Sequence, residues 1–462
     1  TGTSTTGNLL IGNLIGTDAG GTLDRGNTLD GIRIDGGADS TGMGNGVAGG
    51  GNVISGNGQN GINITGDGSM DAEIWGNMIG TNAAGTAAVA NSESGILIWG
   101  AVNTSIGGNI AAKRNVISGN GSSGVFILPQ VTGYGATGNT LQGNYVGTAA
   151  DGVTPLGNSG NGILLFFAPS NTIGGTGAGD GNTIAFNGGN GVGVDRPEAS
   201  GNLIQRNSIH SNGLLGIDLT NGANGGLLPP TILSFNPPAK EVVGETCAFC
   251  TVEVFSDSAD EGRLYQGVTS ADSLGDWVVS APFLGPNITA TTTSGGNTSE
   301  FSAPFACPDS DGDTVCDAGD NCPAVANPTQ SNADGDAFGD HCDSSDTDGD
   351  GFTDETEARY VGTNAGYPCG GNSWPADLWD QPPFSANKIT VQDLTSFLAP
   401  VYRMNTSPGD ANFSARWDIL PGRGLFAKNI NVQDLTLLIT LTPPMLNGAR
   451  ALNGPTCPYP AQ

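Results

Sequence analysis

Two short sequence patterns recur through the first half of the chain. GNxIGT or a close variant occupies 12–17, 76–81 and 143–148, and NVISGN occupies 52–57, 115–120 and, more loosely, 182–187. Copies lie about 63 to 67 residues apart, and Gly-Ile-x-Ile and Asn-x-Ile segments recur within them at about 20 to 22 residues. A repeat this short, with strands of a few residues, corresponds to one coil of a solenoid.

The residue types of the repeat indicate how each coil is built. The chain contains 77 Gly, and Gly and Asn supply the left-handed backbone conformations needed between short strands. In GINIT at 61–65 the alternation predicts that Ile62 and Ile64 point inward and that Asn63 points outward. Asn side chains stacked from coil to coil can hydrogen-bond in ladders. We therefore expect stacked β-coils over residues 1–228.

These repeats resemble those of secreted bacterial β-helix proteins, and the role of those proteins is unassigned. The coil length resembles that of right-handed parallel β-helices of the pectate-lyase-like class. The resemblance covers about half of the chain and implies a mainly β fold, but no particular function. A β-propeller is the alternative fold, although its blades would be longer.

The outward positions of the Gly-Ile-x-Ile strands change character along the repeat. They are polar in the early coils, as at Arg33 and Asp35 or at Asn63 and Thr65. In three later coils they are apolar, and soluble monomers rarely leave such a stripe uncovered. These apolar positions are Leu97, Trp99, Phe126, Leu128, Leu164 and Phe166. We expect them to form a contact surface. The alternative is that the inward and outward positions are shifted by one residue, in which case the six side chains belong to the core.

Enzymes on this fold cleave polysaccharides, which makes catalysis an alternative function. Lyases need an Arg or Lys base beside acidic calcium ligands, and hydrolases need carboxylates a few ångström apart. The best cluster that the sequence offers joins Arg206 and His210, placed on one strand face by parity, to Asp195 and Asp218 one coil to either side. The simpler interpretation is that these residues are solvated polar side chains on the outer face of the coils, and we expect no catalytic site.

Residues 229–306 have a different pattern. Two Pro-Pro pairs interrupt the repeat, and short alternating segments follow at 251–255, 277–279 and 288–291. This spacing predicts an antiparallel β-sandwich, which resembles the immunoglobulin-like modules of bacterial surface proteins, used as spacers or contact surfaces. Cys247 and Cys250 lack the further ligands of a zinc site, so a local disulfide is the expected alternative.

Residues 309–357 contain 15 acidic residues and no Lys or Arg. Oxygen-bearing side chains recur at positions 1, 3, 5, 9 and 12 of three loops, which suits a hard seven-coordinate cation. Without cations, charge of this density favours disorder. The spacing predicts three Ca²⁺ sites, formed by Asp309, Asp311, Asp313, Asp317 and Asp320; by Asn332, Asp334, Asp336, Asp340 and Asp343; and by Asp346, Asp348, Asp350, Asp354 and Glu357.

Three motifs of this segment, DNCP at 320–323, NPTQ at 327–330 and GDHCD at 339–343, resemble thrombospondin type three repeats. The resemblance covers roughly fifty residues of the segment 307–365. It implies that calcium builds the structure without doing chemistry, and that Cys322 pairs with Cys342. Asn332 stands where Asp is usual, which predicts weaker binding in the second loop.

Residues 366–462 contain a duplication, because VQDLT at 391–395 returns at 432–436. The apolar spacing predicts short amphipathic helices, and the arrangement resembles dockerin modules. The upstream calcium ligands of that family are absent here. A degenerate docking module and a small helical domain held by a disulfide therefore both stay open, with Cys369 and Cys457 as a suggested pair.

Charge and cysteine placement restrict the partners. The net charge of −29 argues against nucleic acids and anionic membranes. All eight cysteines follow residue 246, as expected for disulfides formed in an oxidising compartment. The sequence contains no run of eighteen apolar residues, so it predicts no membrane span. The chain begins at Thr1 without a signal peptide, which predicts a processed or truncated product whose first coil is open to stacking.

These observations lead us to expect a secreted calcium-binding structural protein of the bacterial surface, adhesin-like or forming fibres or matrix by self-association. Its partner would be another copy or another surface protein. A polysaccharide lyase or glycoside hydrolase, or a protein that binds neutral glycans, is the alternative. Calcium is expected to make the acidic segment rigid.

Overall fold

A computed structural model of the chain describes residues 5–66, 69–130, 135–236, 239–281, 287–313, 315, 317, 319–345, 347, 354–355 and 365–366. Regular structure in these ranges is almost entirely β, with 3₁₀ turns at Ala111–Lys113 and Ala223–Gly226. The chain divides into two compact units, Thr1–Pro308 and Asp309–Gln462. The predicted C-terminal helices and the suggested pair Cys369–Cys457 lie outside the described residues.

The mainly β fold and the parallel β-helix are confirmed by three parallel sheets of seven strands each. Sheet A contains Leu9–Leu10, Gly42–Met43, Glu73–Ile74, Ser105–Gly107, Thr140–Gln142, Thr172–Gly174 and Leu203–Gln205. Sheet B contains Leu14–Ile15, Val53–Ile54, Met78–Ile79, Val116–Ile117, Tyr145–Val146, Thr183–Ala185 and Ser208–His210. Sheet C contains Ile32–Ile34, Ile62–Thr65, Ile96–Trp99, Val125–Leu128, Ile163–Phe166, Val192–Asp195 and Ile217–Thr220.

The interior of the β-helix is a continuous stack of aliphatic side chains from all three sheets. Ile62 and Ile64 are buried in it, as the alternation predicted, and pair in register with Ile96 and Ile98 of the next coil. Asn63 occupies the opposite face of its strand, where Asp30 covers it by accepting a 2.8 Å hydrogen bond from its amide. Strand parity therefore determines the core, and local contacts determine the exposure of outward residues.

Asparagine ladders support the turns between sheets. The first ladder lies between sheets A and B, and each side-chain amide donates to the side-chain carbonyl of the asparagine one coil further on. Its members are Asn13, Asn52, Asn77, Asn115, Asn144, Asn182 and Asn207. The second ladder lies between sheets B and C and contains Asn27, Asn57, Asn91, Asn120, Asn158, Asn187 and Asn212. The ladders satisfy polar groups that would otherwise be buried unpaired.

The described residues between 231 and 306 form two antiparallel sheets. One contains Thr231–Asn236, Glu241–Glu245 and Asp276–Ser280. The other contains Leu264–Ser270, Thr251–Asp257, Asn287–Ser294 and Asn297–Thr298, with Phe305–Ala306 paired to Asn287–Ser294. Val242, Trp277 and Val279 are buried in the first sheet, and Val252 and Val254 in the second. Cys247 and Cys250 form the expected local disulfide.

This two-sheet module closes the end of the β-helix, a role that the sequence pattern did not indicate. Ile209 and Gly262 exchange a pair of backbone hydrogen bonds of 3.0 and 2.9 Å. Glu261 accepts hydrogen bonds from the backbone and the amide of Asn212, so its carboxylate takes the next place in the second ladder. The last coil thus hydrogen-bonds to the module instead of exposing its backbone.

Candidate metal centre

The first acidic loop is held in shape by hydrogen bonds from its own backbone. Gly312 N–H donates to Asp309, Asp313 N–H donates to Asp311, and Val315 N–H donates to Asp313, at 2.9 to 3.2 Å. Ser310 N–H donates to Asp317 at 2.6 Å. Asp309, Asp311 and Asp313 therefore each accept a hydrogen bond from a backbone amide two or three residues further on. Asp317 accepts one from the amide seven residues before it. These bonds curl the loop so that the side chains at its odd-numbered positions converge.

The second loop repeats this arrangement bond for bond. Gly335 N–H donates to the side-chain carbonyl of Asn332, and Asp336 N–H donates to Asp334. Phe338 N–H donates to Asp336, and Ala333 N–H donates to Asp340. At position 7, Val315 is buried in the first loop whereas Phe338 is 56% exposed in the second, so a shared buried side chain at this position does not explain their common shape. The common spacing of oxygen-bearing side chains produces it.

The curled loops bring carboxylates together. Ligand oxygens of Asp309, Asp311 and Asp313 lie within 4.8 Å of one another, and so do those of Asp334, Asp336 and Asp343. These are positions 1, 3 and 5 of the first loop and positions 3, 5 and 12 of the second. Such a group of oxygens could hold a metal ion, and the three Ca²⁺ sites stay a prediction.

The electrostatics of the first loop fit a cation. Among the described residues, one oxygen each of Asp311 and Asp320 is buried without a hydrogen-bond partner. Desolvation, and then the charges of Asp313, Asp320 and Asp309, raises the pKa of the Asp311 carboxyl above its ordinary value. The three ion pairs found in the described residues all involve arginines before residue 207. A cation bound by Asp309, Asp311 and Asp313 would give the Asp311 carboxylate a partner of opposite charge.

The segment between the two loops holds the position-12 carboxylate in place. Gln330 donates its amide N–H to Asp320 at 2.8 Å, and its carbonyl accepts the backbone N–H of Asn321 at 3.0 Å. The predicted disulfide between Cys322 and Cys342 is confirmed. The sequence singled out the NPTQ motif only as part of a resemblance, and the role of Gln330 as a positioning residue emerges from the contacts.

The third predicted loop is described only in part. Asp354 is fully buried and accepts hydrogen bonds from the backbone and hydroxyl of Thr347 at 2.9 and 2.6 Å. This repeats the bond from position 2 to position 9 seen in both earlier loops. The other four predicted ligands of this loop, Asp346, Asp348, Asp350 and Glu357, lie outside the described residues.

The six apolar residues predicted to face outward do so, on three adjacent strands of sheet C. Phe126 pairs in register with Leu97 and Leu164, and Leu128 pairs with Trp99. Trp99 is 40% exposed, whereas the other five are half-buried. Sheet C therefore carries a short apolar face, bounded by polar strands on both sides.

The catalytic cluster considered from sequence is not assembled. Arg206 follows a strand of sheet A and pairs with Glu253 at 3.6 Å, while His210 lies in sheet B, buried against Phe186. The parity argument was wrong because a turn at Arg206, with a φ of 49°, separates two strands that the sequence read as one. Asp195 and Asp218 belong to sheet C, where they bond to Asn221 and Asn190.

No protein-family model matches the chain, and no curated protein matches it. Over the ranges that the structure covers, no helix has the length and apolar character needed to cross a bilayer.

Proposed function

We propose that this protein is a secreted, calcium-binding structural protein of the bacterial surface, adhesin-like in organisation. The observation that carries the proposal is the common hydrogen-bond frame of the two acidic loops. That frame holds carboxylates within 4.8 Å of one another and leaves oxygens of Asp311 and Asp320 buried without a partner. Carboxylates this close repel one another unless a cation lies between them.

Calcium fits this donor set better than other common cations. The clusters consist of carboxylates, without the Cys and His ligands that zinc prefers. Ca²⁺ takes six to eight oxygen ligands in a flexible geometry. Each loop supplies five oxygen-bearing side chains toward that number. Mg²⁺ demands a near-octahedral site and retains several waters, so we expect it to bind more weakly.

The disulfides support the proposed location. Cys247–Cys250 and Cys322–Cys342 are both formed. Disulfides persist in oxidising compartments outside the cytosol, which favours secretion. In this proposal Cys322–Cys342 and the bound metal ions together stabilise the acidic segment.

Isothermal titration of the full chain with CaCl₂ after chelator treatment tests the proposal. We expect saturable binding of two or more ions, and resistance to proteolysis within 309–345 that chelation abolishes. Asp311→Asn should remove one site, whereas the matched control Glu245→Gln, at an exposed position of the two-sheet module, should bind like the wild type. The proposal would be overturned if no calcium bound, or if the proteolytic cleavage pattern were the same with and without chelator.

The self-associating form of the proposal needs a separate measurement. Light scattering on the same samples, with and without calcium, reports whether particles larger than the monomer form. Growth of particles with calcium supports fibre or matrix assembly, and a constant monomer mass limits the proposal to an adhesin-like role.

A further inference from the structure

A groove runs along the apolar face of sheet C. Its floor is formed by Leu97, Trp99, Phe126 and Leu128, from two strands paired in register. Its wall consists of polar side chains from turns: Glu93, Ser94 and Ser122 precede these two strands, and Asn60 precedes the neighbouring strand Ile62–Thr65. The cavity has a volume of about 380 Å³, within the range typical of small-ligand sites.

The exposed area argues against a second copy of the chain as the occupant. Trp99 is 40% exposed and its five apolar neighbours are half-buried. With about 150–250 Å² for a whole aromatic side chain, the exposed apolar area is on the order of 300 Å². A stable protein interface buries about 800 Å² on each partner. The groove therefore suits a ligand of a few rings.

The charges around the groove argue against an anionic ligand. Arg196 lies beside Phe166 at one end of the apolar face and pairs with Asp195 at 3.6 Å. Arg33 lies two strands beyond the other end and pairs with Asp35 at 3.2 Å. Glu93 is exposed and receives one hydrogen bond of 2.9 Å, from the amide of Asn60 to its Oε2. The groove thus offers carboxylate and hydroxyl oxygens beside an aromatic face, and no free cation among its described lining residues.

A ligand that matches this arrangement has an apolar face and hydroxyl groups along its edge. Pyranose rings have this character, since their C–H faces stack on aromatic rings while their hydroxyls donate to carboxylates. Neighbouring strands in the sheet are about 4.8 Å apart, close to the length of one sugar unit. Successive rings could therefore contact successive coils.

We propose that the groove binds a short segment of a neutral glycan, with one ring stacked on Trp99 and hydroxyls donated to Glu93. This site goes beyond the calcium-dependent structural role and does not depend on it, because the groove and the acidic loops belong to different units. It would provide an adhesin-like protein with a ligand.

Tryptophan fluorescence and titration calorimetry with the full chain test this site. The probes are cellohexaose and xylohexaose as neutral ligands, hexagalacturonate as the anionic ligand and hexameric chitosan as the cationic one. We expect a neutral hexasaccharide to bind and shift the emission, and the anionic one not to bind. Trp99→Ala should weaken binding at least about tenfold, and Trp99→Phe should have an intermediate effect because it keeps a smaller aromatic face.

Phe249→Ala is the matched control, since Phe249 is a 73% exposed aromatic residue in the two-sheet module. It should bind like the wild type. Glu93→Gln, which keeps the shape of the wall, should weaken binding severalfold. Unchanged melting temperatures of the variants would exclude unfolding as the cause.

Three results would overturn the proposal: no binding of any neutral hexasaccharide, equal affinity of the wild type and Trp99→Ala, or preference for the charged hexamers. A concentration-dependent dimer that the Trp99→Ala substitution dissociates would identify the groove as an interface between two copies of the chain. That result would also overturn the glycan proposal. Repeating the titrations in chelator separates the two proposals, since glycan binding should persist whether or not calcium binds.

Discussion

Glu261 occupies an unusual position, at the end of a buried asparagine ladder. It is 3% exposed, and its two oxygens accept the backbone N–H and side-chain amide of Asn212 at 3.2 and 3.1 Å. Burial, reinforced by the charges of Asp257 and Asp260, raises its pKa from 4.5 to about 7, although the two bonds from Asn212 oppose the shift. The junction between the β-helix and its cap should therefore be sensitive to pH.

The sign and size of this sensitivity follow from the shift. A carboxyl whose pKa is raised by folding contributes stability that is fully present below pH 4.5 and is lost as the pH rises through 7. Each pKa unit corresponds to about 1.4 kcal/mol, so the ionised group costs on the order of 2–3 kcal/mol above pH 7, allowing for some access of water. Glu261→Gln removes the charge and keeps the shape of the side chain.

Urea unfolding at saturating calcium, followed by tryptophan fluorescence between pH 5 and 8, measures the effect. Relative to the wild type, Glu261→Gln should gain about 2 kcal/mol of unfolding free energy over this range and be the more stable protein at pH 8. The lost acceptor of the glutamine costs about 1 kcal/mol at every pH. A difference between the two proteins that stays constant from pH 5 to pH 8 would refute the reasoning.

His210 acts in the opposite direction over an overlapping range. Burial, followed by the charge of Arg263, lowers its pKa from 6.5 to about 4. Its contribution to stability is present above pH 6.5 and is lost as the pH falls through 4. Because this contribution is common to the wild type and Glu261→Gln, comparing the two proteins isolates the effect of Glu261.

Three further predictions concern the ladder and the loops. Asn120→Ala removes a fully hydrogen-bonded member of the second ladder and should lower the unfolding free energy by about 2–4 kcal/mol in the same urea assay; the exposed control Asn8→Ala should stay within about 0.5 kcal/mol, and equal effects would contradict the ladder argument. Asn332→Asp adds a carboxylate at position 1 of the second loop and should tighten calcium binding there severalfold in calorimetry; unchanged affinity would show that Asn332 already serves equally well or does not contact the ion. Replacing Cys322 and Cys342 together by Ser opens a disulfide that spans 20 residues and should cost about 3 kcal/mol, seen as faster proteolysis of 309–345 at limiting calcium; proteolysis at the wild-type rate would contradict this.

The sequence by itself determined the features that repeat over short distances. The alternation at Ile62 and Ile64 is enough to choose the inward face of a strand, because successive side chains in a β-strand point to opposite sides. The curl of the first loop is likewise local, since the backbone bonds that Ser310, Gly312, Asp313 and Val315 donate to its carboxylates join residues no more than seven apart. Longer-range bonds to this loop come from Asn327 and Gln330. A period read from the sequence therefore predicted both the coil and the carboxylate clusters.

Only the tertiary structure decided what covers these elements. Glu261 completes a ladder whose last asparagine is 49 residues away, and Arg206 is paired with Glu253, 47 residues away. Neither contact follows from a local period, because antiparallel sheets and parallel coils obey different spacings and nothing in either repeat specifies how the two meet. The half-burial of five outward apolar residues beside an exposed Trp99 likewise depends on how neighbouring coils pack. That packing turns an apolar stripe into a groove.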